Sequence, residues 1–411
     1  MKAAERRSWL SALGLAAAFG LAVVTGCSEK PKAPPEAGTE PKTTTGVAGA
    51  SSAGAPKAAA NPREVADRAV KFILGHQNAD GGFGTFKGRP ASSVGVTGLV
   101  VRALLDSPAK LTEANTPAIG KAIQYITSRQ RADGAISEGE LDNYHTSLAV
   151  IALVATGNPA YKDVLGKAEG FLRGIQLDET EGYTEDYPFY GGAGYSSNPK
   201  VSDMSNTGFW IEAMHELGVE TDDPAMQKAL IFVDRVTNNP EVNDQPWAKE
   251  VTPENYGGAV YRPAADPERK DVDISKAGRD RTGWRSYGSM TYHAFKSFIY
   301  GGCDDADPAV EGALKWIENN YTLDENPGSG TEGQYYYYRV FARALGAWGK
   351  PEVAGHKWAA DLAAKLAELQ QADGSWVNTD KERWMESDPV LVTGYCLEAL
   401  SIAIDGMKSE G

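Results

Sequence analysis

One segment recurs six times, and the recurrence restricts the chain to architectures built from a stacked unit. SVGVTGLVVRALL, DNYHTSLAVIALV, DMSNTGFWIEAMH, GSMTYHAFKSFIY, QYYYYRVFARALG and PVLVTGYCLEALS align in one frame. Thr97, Thr146, Thr207, Thr291, Tyr338 and Thr393 share a column. Six residues later a small side chain follows each time: Ala103, Ala152, Ala213, Ser297, Ala344 and Ala399. These segments are apolar over most of their circumference, as in buried helices. Each is preceded by an amphipathic segment such as ADRAVKFILGHQ, IGKAIQYITSRQ or WAADLAAKLAELQ, with an apolar stripe at i, i+3, i+4 and i+7. Outer wet helix, then inner buried helix, six times over, predicts an all-α fold: an (α/α)6 toroid with inner helices lining a central funnel. An open solenoid is the alternative. Six units without a capping helix favour closure, because a solenoid leaves its end faces unburied.

The links between the helices carry a second repeat. Gln77-Asn78-Ala79-Asp80-Gly81-Gly82-Phe83 returns as Gln370-Gln371-Ala372-Asp373-Gly374-Ser375-Trp376. Weaker copies are Gln130-Arg131-Ala132-Asp133-Gly134 and a stretch from Phe171-Leu172 and Gln176 to Gly182-Tyr183. Glycine supplies the turn after the outer helix, the aromatic packs between hairpins, and glutamine reaches free helix-end groups. These motifs resemble the QW repeats of the squalene cyclase and protein prenyltransferase superfamily, over residues 62–405. The resemblance implies an α/α toroid. It says little about chemistry, because the motifs are structural.

At the inner-helix starts the resemblance weakens. Triterpene cyclases of that family use an Asp-x-Asp-Asp-Thr motif, whose middle Asp protonates an alkene. Here the frame reads Asp203-Met204-Ser205-Asn206-Thr207, with a hydroxyl in the acid position, and Asp142-Asn143-Tyr144-His145-Thr146 puts Tyr144 there. A hydroxyl is far too weak an acid for that step. Asp271-Val272-Asp273 lies in a charged insert and reads as a solvated loop. Prenyltransferases hold Zn²⁺ with Asp, Cys and His. Cys303 sits at a helix end, Cys396 lies mid-helix, and the five histidines are scattered. No metal and no cofactor is expected. Both cysteines read as small buried hydrophobes.

The N-terminus reads as an address. Lys2, Arg6 and Arg7 precede an apolar run from Trp9 to Val24, and Val24-Thr25-Gly26-Cys27 looks like a lipobox. The expected organisation is a lipoprotein signal peptide (1–27) with lipid attachment at Cys27, a disordered Pro/Ala/Gly/Ser/Thr linker (28–61), the toroid (62–405) and a short tail (406–411). Ser28 after the lipidated Cys suggests the outer membrane of a two-membrane envelope, facing the periplasm or the surface. The net charge of −14 argues against nucleic acid. The expected partners are the membrane, through that lipid, and an unknown ligand or envelope protein.

Candidate functional residues follow from the toroid. N-terminal ends of inner helices meet at one mouth, where N–H groups and helix dipoles favour anions. Catalytic candidates are Asp142, His145, Asp203, Arg285, Tyr287 and Asp388. Ligand-binding candidates are Tyr144, Asn206, Trp284, Tyr292, His293, Tyr335, Tyr336 and Arg339. The aspartates sit where N-caps belong, and the tyrosines are equally placed for packing. Because the family's acid and zinc ligands are missing, the primary expectation is a non-catalytic ligand- or partner-binding toroid of the envelope. The alternatives are a polysaccharide lyase or hydrolase of α/α-toroid type, and a terpenoid cyclase or prenyltransferase-type enzyme. The charged insert at 239–286 is a candidate lid.

Overall fold

Four outer helices begin at a Pro that follows Asn, Thr or Asp, and three of those four cap residues accept a backbone N–H in their own first turn: Asn61, Asp223 and Asp307. In the computed structural model these starts open a regular alternation. Residues 61–408 are described, except 87, 140, 266–273, 281 and 282. The expected signal peptide (1–27), the expected linker up to residue 60, and Asp271-Val272-Asp273 lie outside them. Outer and inner helices alternate as α1 (Pro62–Leu74), α2 (Val94–Asp106), α3 (Pro117–Thr127), α4 (Asp142–Ala155), α5 (Lys162–Arg173) and α6 (Met204–Glu216). They continue as α7 (Pro224–Arg235), α8 (Gly288–Tyr300), α9 (Pro308–Asn319), α10 (Gln334–Trp348), α11 (Trp358–Leu369) and α12 (Pro389–Lys408). A minimal hairpin, β1 (Thr85–Phe86) with β2 (Arg89–Pro90), is the one two-stranded sheet among the described residues.

The ring closes. Each inner helix packs on the next, α12 returns to α2, and both α11 and α12 pack on α1. The fold is an (α/α)6 toroid, and the open solenoid is excluded. Gln370 makes the closure explicit: its Nε2 donates to Val65 O in the first turn of α1 at 2.9 Å. The other glutamines do the same one unit on. Gln77 donates to Ala118 O, Gln130 to Val164 O and Gln176 to Ala225 O, at 2.7, 2.8 and 2.9 Å. The turn glycine allows this approach. Gly81, at φ +89°, sits so close to α3 that a Cβ would lie 2.8 Å from Lys121 O.

Two details of the loop reading change. In the third unit the glycine against the next outer helix is Gly191, where a Cβ would lie 1.9 Å from Lys228 O, and not Gly182. An insertion separates it from Gln176. In the fourth unit Asn239 replaces glutamine, donating to Pro308 O at 2.8 Å, with Gly257 as the turn residue.

The threonine column is the other half of the same staple. Thr97, Thr146, Thr207, Thr291 and Thr393 hydroxyls accept the loop N–H of Phe83, Ile136, Ala193, Ala259 and Trp376, at 2.9–3.1 Å. Each column threonine thus satisfies a buried backbone donor and fixes the loop onto its inner helix, while Tyr338, the sixth member, donates its hydroxyl to Leu323 O at 2.6 Å.

The axis is not an open funnel. Mid-length, the inner helices project Glu212, Lys296, Arg339, Arg343 and Glu398 inward, all buried. Arg339 bonds Glu212 at 2.9 Å and Glu398 at 2.8 Å, Arg343 bonds Glu398 at 2.5 Å, and Lys296 pairs with Glu212. Arg102, Asp106 and Glu216 extend the cluster toward the far face. Burial pushes Lys296 down to about 8. Burial also pushes Glu212 up, but the Arg339 and Lys296 charges outweigh it and hold that carboxyl well below the usual range. Buried charge that is paired and hydrogen-bonded is tolerated, and here it plugs the ring. Cys303 and Cys396 are buried free thiols.

Candidate functional site

Above the plug, all six inner helices contribute first-turn or near-first-turn side chains to one cavity of about 230 Å³. They are Ser93 and Val96; Tyr144 and His145; Ser205 and Phe209; Tyr287, Ser289 and Met290; Tyr336; Leu391 and Tyr395. Loops add Leu141, Tyr195, Tyr261, Lys276, Trp384 and Met385. The volume lies below the roughly 300–1,000 Å³ of drug-sized pockets, so it suits one ring or a short chain. Tyr261 and Lys276 come from the insert at 239–286, which therefore builds part of the wall.

The rim is unusual for a solvent-facing surface. Among the described residues the large hydrophobics left exposed are Leu141, Tyr195, Trp384 and Met385, and all four line this mouth. Three of them have left-handed backbone: Leu141 at φ +53°, Trp384 at +58° and Met385 at +62°. A bulky residue there costs of order 1–3 kcal/mol, and such strain clusters at binding sites. Exposed apolar groups gathered on one concave surface mark an interaction site.

The wall is aromatic, with hydroxyls among the rings. Tyr144 meets Phe209 edge-on at 5.2 Å between centroids, and Tyr336 packs on Phe209 and Tyr395. Tyr336 Oη and Ser205 Oγ are 3.0 Å apart, as are, at 3.2 Å, the hydroxyls of Tyr195 and Tyr261. Desolvation at the hydroxyl, which faces Tyr261 while the ring edge stays wet, pushes Tyr195 up to about 12, and burial raises Tyr144, Tyr287, Tyr336 and Tyr395, so these hydroxyls remain protonated donors. The position of the cyclase acid is thus a serine hydroxyl bonded to a tyrosine.

His145 is the imidazole in the wall. Its Nδ1 lies 2.9 Å from Glu138 Oε2 and its Nε2 lies 3.4 Å from Ser93 Oγ. Glu138 also accepts Tyr125 Oη at 2.7 Å and Val94 N at 2.9 Å. Burial raises the Glu138 carboxyl, but the bonds from His145 and Tyr125 outweigh it and hold it below the usual range. Gly95 makes room for the ring: a Cβ there would lie 2.9 Å from His145 Cδ2. Neither Ser93 nor Glu138 stands out in the sequence, because a serine before a helix reads as a cap and a loop glutamate as solvated.

The aspartate candidates lie outside the cavity lining and bond local partners. Asp203 is the N-cap of α6, accepting Asn206 N at 2.9 Å and both oxygens bonding Asn206 Nδ2. Burial raises its carboxyl. Asp388 accepts Val390 N at 2.8 Å and Thr85 N at 2.7 Å, joining the last inner helix to the first loop. Asp142 is not a cap. Leu141 holds that position, and Asp142, the first helical residue, bonds Arg131 at 2.9 and 3.1 Å. Glu386 caps α10 from outside, accepting Tyr335 N and Tyr336 N at 3.0 and 2.8 Å, and burial pushes it up to about 7.

Convergence at the mouth holds for Tyr144, His145, Tyr287 and Tyr336 and fails for the rest. Tyr292 and Tyr335 pack behind the wall against Tyr337 and Tyr338. His293 is fully buried beside Phe209 and Tyr336, and burial holds it well below its usual value, so it stays neutral. Arg339 belongs to the axial plug. Arg285 faces a separate surface hollow with Asp280 and Asn320, and Trp284 is pinned through its carbonyl, which accepts Asn238 Nδ2. Among the described residues no cluster of three or more metal-ligating side chains forms.

No family model and no curated protein matches the sequence. Solved structures do match its fold. An α-1,6-mannanase from Salegentibacter sp. HEL1_6 is 11% identical, with 84% of this chain and 100% of that chain covered and a TM-score of 0.59. A glycoside hydrolase family 76 mannosidase from Bacteroides thetaiotaomicron is 12% identical, covering 85% and 99%, at 0.54. A point variant of the type II terpene cyclase MstE from Scytonema is 14% identical, covering 84% and 97%, at 0.51. At such identities the likeness establishes the α/α-toroid fold alone.

Proposed function

We propose that this chain is a polysaccharide-processing enzyme of the α/α-toroid type, held in the cell envelope by lipid on Cys27, with the mouth cavity as its sugar site. The observation that carries the reading is the gathering of Leu141, Tyr195, Trp384 and Met385, exposed and in part strained, around a cavity walled by tyrosines. Flat rings with protonated hydroxyls between them match a sugar ring, whose C–H faces stack on aromatics and whose rim hydroxyls need partners. A purely structural mouth gains nothing from keeping those side chains wet, so the mouth reads as a binding site, and the enzyme reading goes one step beyond the primary expectation of a non-catalytic ligand- or partner-binding toroid. One of the toroids of similar fold, the Salegentibacter mannanase, was solved as an inactive variant in complex with α-1,6-mannotriose. Unlike a glycosidase with paired acids, this cavity has no carboxylate in its lining. His145 and Lys276 are the nitrogen bases of the lining, and proton transfer is assigned to His145, whose ring Glu138 orients.

A second reading has its own support. Val96, Met290, Leu391 and Met385 make part of the wall apolar, which suits an isoprenoid. Calorimetric titration with mannan oligosaccharides and with farnesol separates the two. Glycan binding that weakens in Trp384→Ala and Tyr195→Ala supports the sugar site. Farnesol binding with no glycan binding transfers the cavity to the isoprenoid reading. Mass spectrometry of the protein from its own host tests the anchor: a diacylglyceryl group on Cys27 is expected, and an unmodified Cys27 would remove it.

A further inference from the structure

We infer that Ser93, His145 and Glu138 form a serine-nucleophile acyl-transfer centre at the edge of the mouth cavity, and that the bond cleaved is an ester carried by the bound sugar. The substrate class rests on the polysaccharide reading; the centre itself does not.

Three elements converge here. Ser93 is the N-cap residue of α2, yet its hydroxyl makes no capping bond. Its backbone is fixed on both sides, N–H to Phe83 O at 3.1 Å and O to Thr97 N at 2.8 Å. The hydroxyl instead faces His145 Nε2 at 3.4 Å, while Nδ1 faces Glu138 Oε2 at 2.9 Å. The carboxylate selects the tautomer: Nδ1 carries the proton and donates, and Nε2 is left to accept from Ser93. A nucleophile, a base in reach of it and a group orienting that base are the three parts such chemistry needs. Separations somewhat longer than 3.2 Å are common before substrate binds. Tyr125 Oη and Val94 N hold Glu138 in place from two further sides.

The helix start supplies the fourth part. First-turn N–H groups of a helix lack intrahelical acceptors. Glu138 takes that of Val94, leaving Gly95 and Val96 as donors beside the nucleophile, where the helix dipole also favours negative charge. Ser93 Oγ attacks the ester carbonyl as its proton passes to His145 Nε2. The tetrahedral oxyanion meets the α2 N–H groups. Collapse breaks the C–O bond, and the departing sugar hydroxyl takes the proton from His145. Water then adds to the acyl-serine through the same histidine, releasing the carboxylic acid and restoring Ser93. Ester and water are consumed, and alcohol and acid are formed. Glu138 is a positioning residue and is never protonated in this sequence.

Reaction of the purified full-length chain with a fluorophosphonate probe, followed by peptide mapping, tests the centre without any sugar. The label is expected on Ser93. Turnover of p-nitrophenyl acetate should fall at least about 100-fold in Ser93→Ala and His145→Ala. In Glu138→Gln, kcat should fall about 10-fold or more with KM within about twofold, a split that a merely structural role would not produce. A folded wild-type protein that stays unlabelled at Ser93, or a Ser93→Ala variant that keeps full turnover, overturns the proposal. Labelled Ser93 without release of acetate from acetylated mannan leaves the centre standing and removes the sugar ester as its substrate.

Discussion

The mouth and the axial plug are built from the same inner helices, one or two turns apart, and they differ in what those helices bring together, ion pairs at the plug and neutral rings and hydroxyls at the mouth. At the plug, Lys296, Arg102, Arg339 and Arg343 face Glu212, Glu398, Asp106 and Glu216, and the paired ions fill the ring. At the mouth, hydroxyls pair weakly with one another, four large side chains stay wet, and a cavity remains. Paired charge fills the ring; the cavity and its wet rim are available to a ligand. Substitutions at the plug should therefore change stability and leave binding alone, and those at the mouth should do the reverse.

The largest effect is expected at Glu398. Replacing it with Ala strands Arg339 and Arg343 in the interior and should cost about 3–5 kcal/mol, read from the denaturant midpoint. A loss below about 1 kcal/mol would mean that water, and not Glu398, solvates those guanidinium groups.

Next comes the pH dependence contributed by Glu386, which follows the rim residue Met385 and bonds the start of α10. Its carboxyl is raised from 4.5 to about 7 by burial. Below 4.5 it is neutral in both folded and unfolded chains, and above 7 it is charged in both. Its contribution to stability therefore falls as pH rises through that window, by up to about 3 kcal/mol. Glu386→Gln removes the titration. The variant should match wild type near pH 4 and become progressively more stable than it up to pH 8. Parallel stability curves would show that Glu386 ionises normally.

The threonine staple should yield a smaller cost. Thr393→Val keeps shape but leaves Trp376 N–H buried without an acceptor, for about 1–3 kcal/mol by thermal or chemical denaturation. Smallest of all is Trp384→Ala, expected to move stability by no more than about 0.5 kcal/mol, because the side chain is 41% exposed and alanine would keep the same left-handed backbone. A large destabilisation there would show that the rim is packing and not a binding surface.

The sequence carried the ring in its repeats, since the threonine column, the glutamines and the amphipathic stripes recur at positions where the physics of closure requires them. The plug was present in the same alignment. The residue five after the column is Arg102, Ile151, Glu212, Lys296, Arg343 and Glu398, charged in all but one unit. An apolar count over each helix conceals those charges, because one ion per buried helix changes its average little. The site was less legible. Tyr144, His145, Tyr287 and Tyr336 lie on inner-helix starts and follow from the frame. Tyr195, Tyr261, Lys276 and Trp384 come from loops whose path no periodicity encodes. Ser93 and Glu138 acquire meaning only through His145, across two hairpins. Arg285 and Trp284 precede α8 by a few residues, but Trp284 turns into the core and Arg285 out to a separate hollow, and so sequence proximity to a helix start misplaced them.

The most direct test of the account is saturation-transfer NMR between the intact protein and α-1,6-linked mannan oligosaccharides, run on wild type, Trp384→Ala and Arg285→Ala. The account predicts transfer to sugar protons in wild type and in Arg285→Ala, and its loss in Trp384→Ala with the fold unchanged. Transfer that persists in Trp384→Ala, or no transfer to any glycan, would contradict the mouth as a sugar site.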